Sequence, residues 1–295
     1  MRYQQSITNG AMFIIAAEFT LFLNGVIIKL VSDGLPNEMI VFSRNLFGLL
    51  ILMPFLIRES VNAGENIFQT SKFHLHLVRG IAGTIAMYCL FYAMANIQLA
   101  DTMLIKSMVP ILIPMIALIW LKERIFPLAR LAIFVGFLGV FLVLKPGVEF
   151  NWVMLVALTS SVFAALSMVT IRKLSSTEPA IRTVSFFSAI SLCITAIPLI
   201  WSWQNPTMEE WLLLAGIGLC STAFQLLTTR GYASAPASEV GIFSFSSVIF
   251  GAVGDWLLWN KVWDGISFIG AICIAIACFL SLRSKRLMEV KKISD

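Results

Sequence analysis

From Leu131 to Leu144, and again from Ile266 to Leu282, the chain runs without one charged side chain. Similar runs recur along its whole length. A water-soluble domain cannot bury them all, because its core stops growing with chain length. A bilayer can, asking each crossing helix for roughly 20 mostly apolar residues. In lipid every backbone N–H and C=O must be bonded internally, which leaves helices or a closed barrel. Barrel strands alternate polar and apolar positions over short segments, and these long runs do not. The fold class is therefore all-α integral membrane protein. Composition agrees: 59% of the 295 residues are hydrophobic, 13% are charged, and the mean hydropathy is +0.89.

The pattern predicts ten transmembrane helices, at 10–31, 38–57, 75–95, 100–121, 127–144, 152–173, 180–201, 209–229, 238–259 and 263–282. The first run is too long for the apolar region of a signal peptide and is read as a retained span. With the N-terminus cytoplasmic, sixteen of the 21 Lys and Arg residues fall on the cytoplasmic side. Lys29, Lys145 and Lys261 fall outside, and Arg44 and Lys106 lie within spans. Such a bias sets orientation and predicts a cell inner membrane protein with both termini cytoplasmic. Trp152, Trp201, Trp203, Trp211, Trp256, Trp259 and Trp263 gather near the outer boundary as an interfacial belt. The net charge of +5 and the basic tail from Arg283 to Lys292 point to anionic membrane lipids, not to nucleic acid.

The chain also repeats itself. At an offset of 144, Lys29-Leu30 falls on Lys173-Leu174 and Pro54 on Pro198. At an offset of 138, Ala95 falls on Ala233, Asp101 on Glu239, Ala132 on Gly270 and Gly139 on Ala277. Two halves result, 1–147 and 148–295. Five spans each is an odd number, so the halves enter the membrane in opposite senses. Inverted repeats place a solute site near the midplane and alternate its access by rocking.

Several local patterns sharpen this. The second span reads Phe42-Ser43-Arg44-Asn45, and Phe91-Tyr92-Ala93 closes the third, followed by Ala100-Asp101. Pro110 interrupts the fourth, Leu121-Lys122-Glu123-Arg124 follows it, and Gly136 and Gly139 lie in the fifth. On these residues the chain resembles the drug/metabolite transporter superfamily, in particular its EamA-type members with two five-helix halves. The resemblance covers essentially the whole chain. It implies transport of small metabolites, among which the family includes amino acids, drugs, nucleotide-type metabolites and vitamins. The chain departs from the pattern at Lys261, where the counterpart of Glu123 would be acidic.

Charges within a bilayer are costly and usually face a cavity or a partner. The candidates are Glu18 in the inner third, Arg44 and Lys106 in the outer third, and Asp255 near the outer end of the ninth span. Arg44, Lys106 and Tyr92, with Tyr88 one turn deeper, form a candidate substrate site for a carboxylate or phosphate. Gln225 is a further polar candidate near the cytoplasmic face. Glu18 and Asp255 are carboxylates for proton coupling or for pairing with a cation; Arg79 is an alternative partner for Glu18. Pro110 and Pro114 withhold the N–H groups that would bond the carbonyls of Lys106 and Pro110, which predicts a kink and exposed carbonyls there. Glu123 is read as fixing a loop.

Cys89, Cys193, Cys220, Cys273 and Cys278 lie in apolar stretches without metal spacing and read as small core residues. His74 and His76 read as interfacial side chains. No cofactor or metal is expected, and no nucleotide-binding loop, zinc-protease or nucleophile-elbow pattern occurs. The function expected is a secondary transporter of a small, anionic metabolite, driven by a proton or a counter-solute, with a homodimer as one assembly state. The alternatives are an importer or exporter of amino acids or other zwitterionic or cationic metabolites, a non-transporting membrane subunit or sensor, and an intramembrane lipid enzyme.

Overall fold

A computed structural model describes residues 7–63, 70–121, 127–144, 151–174, 180–234 and 241–294. These residues are nearly all helical, with no strand among them. The helices are α1 (Ile7–Val31), α2 (Asn37–Ala63), α3 (Phe73–Asn96), α4 (Leu99–Lys106), α5 (Val109–Leu121) and α6 (Pro127–Leu144). They continue as α7 (Trp152–Leu174), α8 (Ala180–Ala196), the single turn α9 (Leu199–Ser202), α10 (Met208–Ser234), α11 (Ser246–Trp259) and α12 (Gly265–Ser294). A 3-10 turn, Gly241–Phe245, leads into α11. By length and composition, Thr8–Val31, Phe73–Asn96, Trp152–Ile171 and Met208–Thr228 can each cross a membrane. Shorter apolar helices lie at Arg130–Val143, Arg182–Ala196, Phe243–Trp259 and Gly265–Leu280. Many large apolar side chains on these helices face outward, among them Phe134, Ile200, Leu257 and Phe268. In water that surface would be a liability; against acyl chains it is the normal exterior of such a bundle.

Two stretches expected as single helices are broken. The run 100–121 divides into α4 and α5 at Ser107–Met108. Pro110 falls in the first turn of α5, where a missing N–H removes no intrahelical bond, so it opens a new helix instead of bending an old one. The run 180–201 divides at Ile197–Pro198 for the same reason, with Pro198 just before α9.

Helix pairs are held where side chains are small. α1 lies along α10, α3 along α7 and α6 along α12. At the last contact Gly139 and Gly270 face each other's backbone. A Cβ on Gly139 would stand 2.9 Å from the Gly270 carbonyl oxygen, and one on Gly270 would stand 2.8 Å from that of Gly139. Hydroxyls add interhelical bonds: Ser160 donates to the Ala86 carbonyl at 2.8 Å, tying α7 to α3. With no hydrophobic drive between helices in lipid, close approach and such bonds are what hold a pair together. Further neighbours are α2 with α10, α3 with α8, α2 with α8, α4 with α11, α4 and α5 with α7, and α1 with α11. The buried apolar core runs through α1, α2, α3, α4 and α10, including Ile28, Met39, Ile40, Met94, Leu104 and Ile217.

Candidate functional site

At the break after α4 the backbone tightens, with the Met108 N–H bonded to the Ile105 carbonyl at 3.0 Å. Neighbouring helices supply further donors. Ser161 on α7 donates to the Ile105 carbonyl at 2.9 Å, and the Cys278 thiol on α12 donates to that of Ser107 at 3.0 Å. Ser107 itself bonds back to Met103 at 2.9 Å. The interruption is thus a fixed joint, with α4 buried along Leu99–Ile105.

Lys106 is the last residue of α4. Its ammonium donates to Glu18 Oε2 on α1 at 2.8 Å and lies 5.1 Å from the Phe224 ring centroid on α10. Glu18 is 4% exposed, so the pair is a desolvated one on the carboxylate side. The two residues start from opposite thirds of the membrane in the span map, yet their long arms bring both charges to one depth. Arg79, the other partner considered for Glu18, instead stacks its guanidinium 4.4 Å over the Phe187 ring.

Asp255 belongs to a second ion pair, which a reading of single spans does not reveal. Its Oδ1 lies 3.8 Å from Lys29 Nζ on α1, and its Oδ2 accepts the Ala100 backbone N–H at 2.8 Å. Lys29 also donates to the Ile97 carbonyl at 2.8 Å and sits 4.7 Å over Trp259. Asp255 is 1% exposed and caps the start of α4, a helix end whose own preceding residue, Gln98, makes no side-chain cap. Asp255 is held at the end of α11, where Asn260 turns left-handed (φ 52°) and the Asn260 and Lys261 N–H groups bond back to Trp256 and Asp255.

Arg44 and Gln225 meet in one cleft between α2, α8 and α10. Its lining is Arg44, Asn45, Gly48, Leu49, Leu52, Phe187, Ser188, Thr222 and Gln225. Arg44 Nη1 donates to Asn45 Oδ1 at 2.8 Å, and Asn45 Nδ2 in turn reaches Thr195 Oγ1 at 3.4 Å. Neither ion pair among the described residues includes Arg44. A few residues along α10, Ser221 accepts from Asn24 Nδ2 at 3.2 Å, so the segment 221–225 faces α1 on one side and Arg44 on the other. The cleft holds about 10 Å³, roughly the space of one water.

The remaining candidates have other neighbours. Tyr92 rests against Trp152 on α7, with ring centroids 5.5 Å apart. Tyr88 has a buried hydroxyl without a hydrogen-bond partner among the described residues, while its carbonyl accepts from Asn37 at 3.2 Å. Pro110 and Pro114 both lie in α5. Glu123 lies outside the described residues. Among the described residues no cluster of three His, Cys, Asp or Glu side chains could hold a metal. Lys29, Asn45, Thr222 and Ser188 were not site candidates in the sequence; Lys29 stood in the charge census and the repeat, Asn45 in the second-span motif, and short hydroxyl residues within apolar helices carry no signal of their own.

The comparisons agree with this architecture. The EamA-like transporter family matches residues 8–145 and again 151–283. A pseudopaline exporter of Pseudomonas aeruginosa is 33% identical over 94% of this chain and 97% of its own length. An S-adenosylmethionine uptake transporter of Rickettsia bellii is 25% identical, with 92% of each chain covered. A riboflavin transporter of Vibrio cholerae is 23% identical, with 97% of each covered. A crystal structure at 18% identity superposes with a TM-score of 0.63 over 96% of this chain and 99% of that one, which shows a common fold. With a family match across nearly all of its length and a full-length relative at 33% identity, the chain belongs to the EamA-like transporter family and is an integral membrane transporter, not an enzyme.

Proposed function

We propose that the chain is a secondary transporter that carries a small anionic metabolite, with a carboxylate or phosphate group, across the cytoplasmic membrane by alternating access. The observation that carries the reading is Arg44. It lines a cleft whose other residues are all uncharged, four of them polar, and no carboxylate pairs with it among the described residues. An unpaired guanidinium in a bilayer is costly, and a bidentate carboxylate or phosphate is the partner its planar fork fits. Gln225, Thr222 and Ser188 supply hydrogen bonds for the rest of the solute. The relatives named as carriers of pseudopaline, S-adenosylmethionine and riboflavin support a small metabolite as the cargo. Export is the direction we favour, since the relative at 33% identity is named an exporter.

Alternating access is supported by the packing. Exchange the two five-span halves, 1–147 and 148–295, and the contact of α1 with α10 becomes that of α7 with α3. The contact of α2 with α10 becomes that of α8 with α3, and that of α6 with α12 returns to itself. The family also matches each half separately. The break at Ser107–Met108 recurs 138 residues later, where the 3-10 turn meets α11 at Phe245–Ser246. Interrupted helices at matching places in inverted halves mark a transporter's central site. The cleft admits about one water as it stands, so solute entry requires the helices around it to part. Both termini are cytoplasmic in this reading, and a proton or counter-solute provides the drive. A homodimer is compatible with it.

The Lys106–Glu18 pair favours a second reading, a zwitterion whose amine and carboxylate exchange with the two side chains. Counterflow into proteoliposomes of labelled carboxylates, phosphates and amino acids decides between them. The anion reading expects flux of carboxylates or phosphates that Arg44→Gln abolishes. Flux of amino acids alone, indifferent to Arg44→Gln, would sink it. No flux with any solute would favour a non-transporting subunit.

A further inference from the structure

We propose that Arg79 is a second anion-binding residue of the Arg44 cleft, and that the solute therefore carries two anionic groups. The proposal rests on the anionic reading of that cleft. Arg79 counts toward the cytoplasmic excess of basic residues, and an anchoring role would send its guanidinium to the headgroups. The structure turns it inward. Its Nε is buried and has no acceptor among the described residues, and the guanidinium stacks 4.4 Å over Phe187. Phe187 is itself a wall of the cleft that Arg44 lines. The ring fits there because α3 has Gly83 opposite it: a Cβ at that position would stand 2.6 Å from Phe187 Cε2. The ring that carries the Arg79 guanidinium thus lines the cleft that Arg44 lines, and neither guanidinium has a carboxylate partner among the described residues. Both ion pairs among the described residues are taken by lysines, Lys29 and Lys106. A ring face attracts a cation weakly and uses none of its N–H donors.

The spacing suits a solute charged at both ends. Arg44 lies seven residues into α2 and Arg79 six residues into α3. These helices enter from opposite sides in the span map, so each Cα is roughly 10 Å from its own membrane face. In a hydrocarbon core about 30 Å thick, their Cα atoms then differ in depth by roughly 10 Å. The cleft follows α2 from Arg44 through Gly48 to Leu52, two turns inward toward Phe187. An anion released by Arg44 toward the cytoplasmic side meets Arg79 next. The same order in reverse serves capture from the cytoplasm, with Arg79 first and Arg44 second.

The test is equilibrium binding of acetate and succinate to the full chain in lipid nanodiscs. Wild type is expected to bind succinate at least about tenfold tighter than acetate. Arg79→Gln should remove that preference while leaving acetate binding in place, which also shows that the variant is folded. Arg44→Gln should weaken both ligands. Arg79→Lys keeps the charge without the fork and should retain part of the preference; it decides the matter if Arg79→Gln does not fold. A succinate preference unchanged in Arg79→Gln or Arg79→Lys overturns the proposal, as does equal binding of the two probes by wild type. If acetate binding still depends on Arg44 in that case, the anionic reading of the cleft survives and only the role of Arg79 falls. If wild type binds neither probe, both fall.

Discussion

Asp255 holds two elements at once: Oδ1 faces Lys29 Nζ on α1 at 3.8 Å, and Oδ2 accepts the Ala100 N–H of α4 at 2.8 Å. The two roles separate by substitution. Asp255→Asn keeps an acceptor for Ala100 and loses the charge; Asp255→Ala loses both and leaves Lys29 without its carboxylate. The expected order of melting temperatures in detergent is wild type, then Asn, then Ala, with the cap alone contributing about 1 kcal/mol. Equal melting points for Asn and Ala would show that the cap contributes nothing.

Lys106 and Glu18 should behave as a unit. Lys106→Met strands a buried carboxylate and is expected to cost about 2–3 kcal/mol. Glu18→Gln with Lys106→Met removes both charges and should recover most of that loss. A double variant as unstable as the sum of the singles would show that the pair does not couple.

The same pair offers a coupling test. If Glu18 carries the driving proton, Glu18→Gln should lose accumulation driven by a pH gradient while exchange of labelled for unlabelled solute continues. Loss of both at once would assign Glu18 to solute binding instead.

At the α6–α12 contact, Gly139→Ala and Gly270→Ala each push a methyl into the opposite backbone. Each is expected to destabilise by about 1–3 kcal/mol, read as a lower melting temperature of the purified protein. Gly265 has open space beside it, so Gly265→Ala is the matched control and should change little.

Legibility in the sequence followed the range of the interaction. The apolar runs are set by the solvent, so the helices could be read one segment at a time. Proline chemistry is equally local, and Pro110 pointed to irregular backbone beside Lys106. What local reading missed was how sharply the chain obeys it: a proline in a first turn starts a helix, so one expected helix became two. Partner choice is another matter. Arg44 with Gln225, Lys106 with Glu18 and Lys29 with Asp255 all depend on which helices become neighbours. Arg79 stood in the sequence as an alternative partner for Glu18, and its stacking on Phe187 depends on α8 lying against α3.

The acceptor for the Ala100 amide lies 155 residues further along the chain. When α4 is synthesised, the carboxylate that completes its first turn does not yet exist. The amide must wait in water or on the polar lining of the insertion machinery until α11 arrives. Helices α1 to α6 made alone would therefore be an unfinished object, with an open helix end and a Lys29 lacking Asp255.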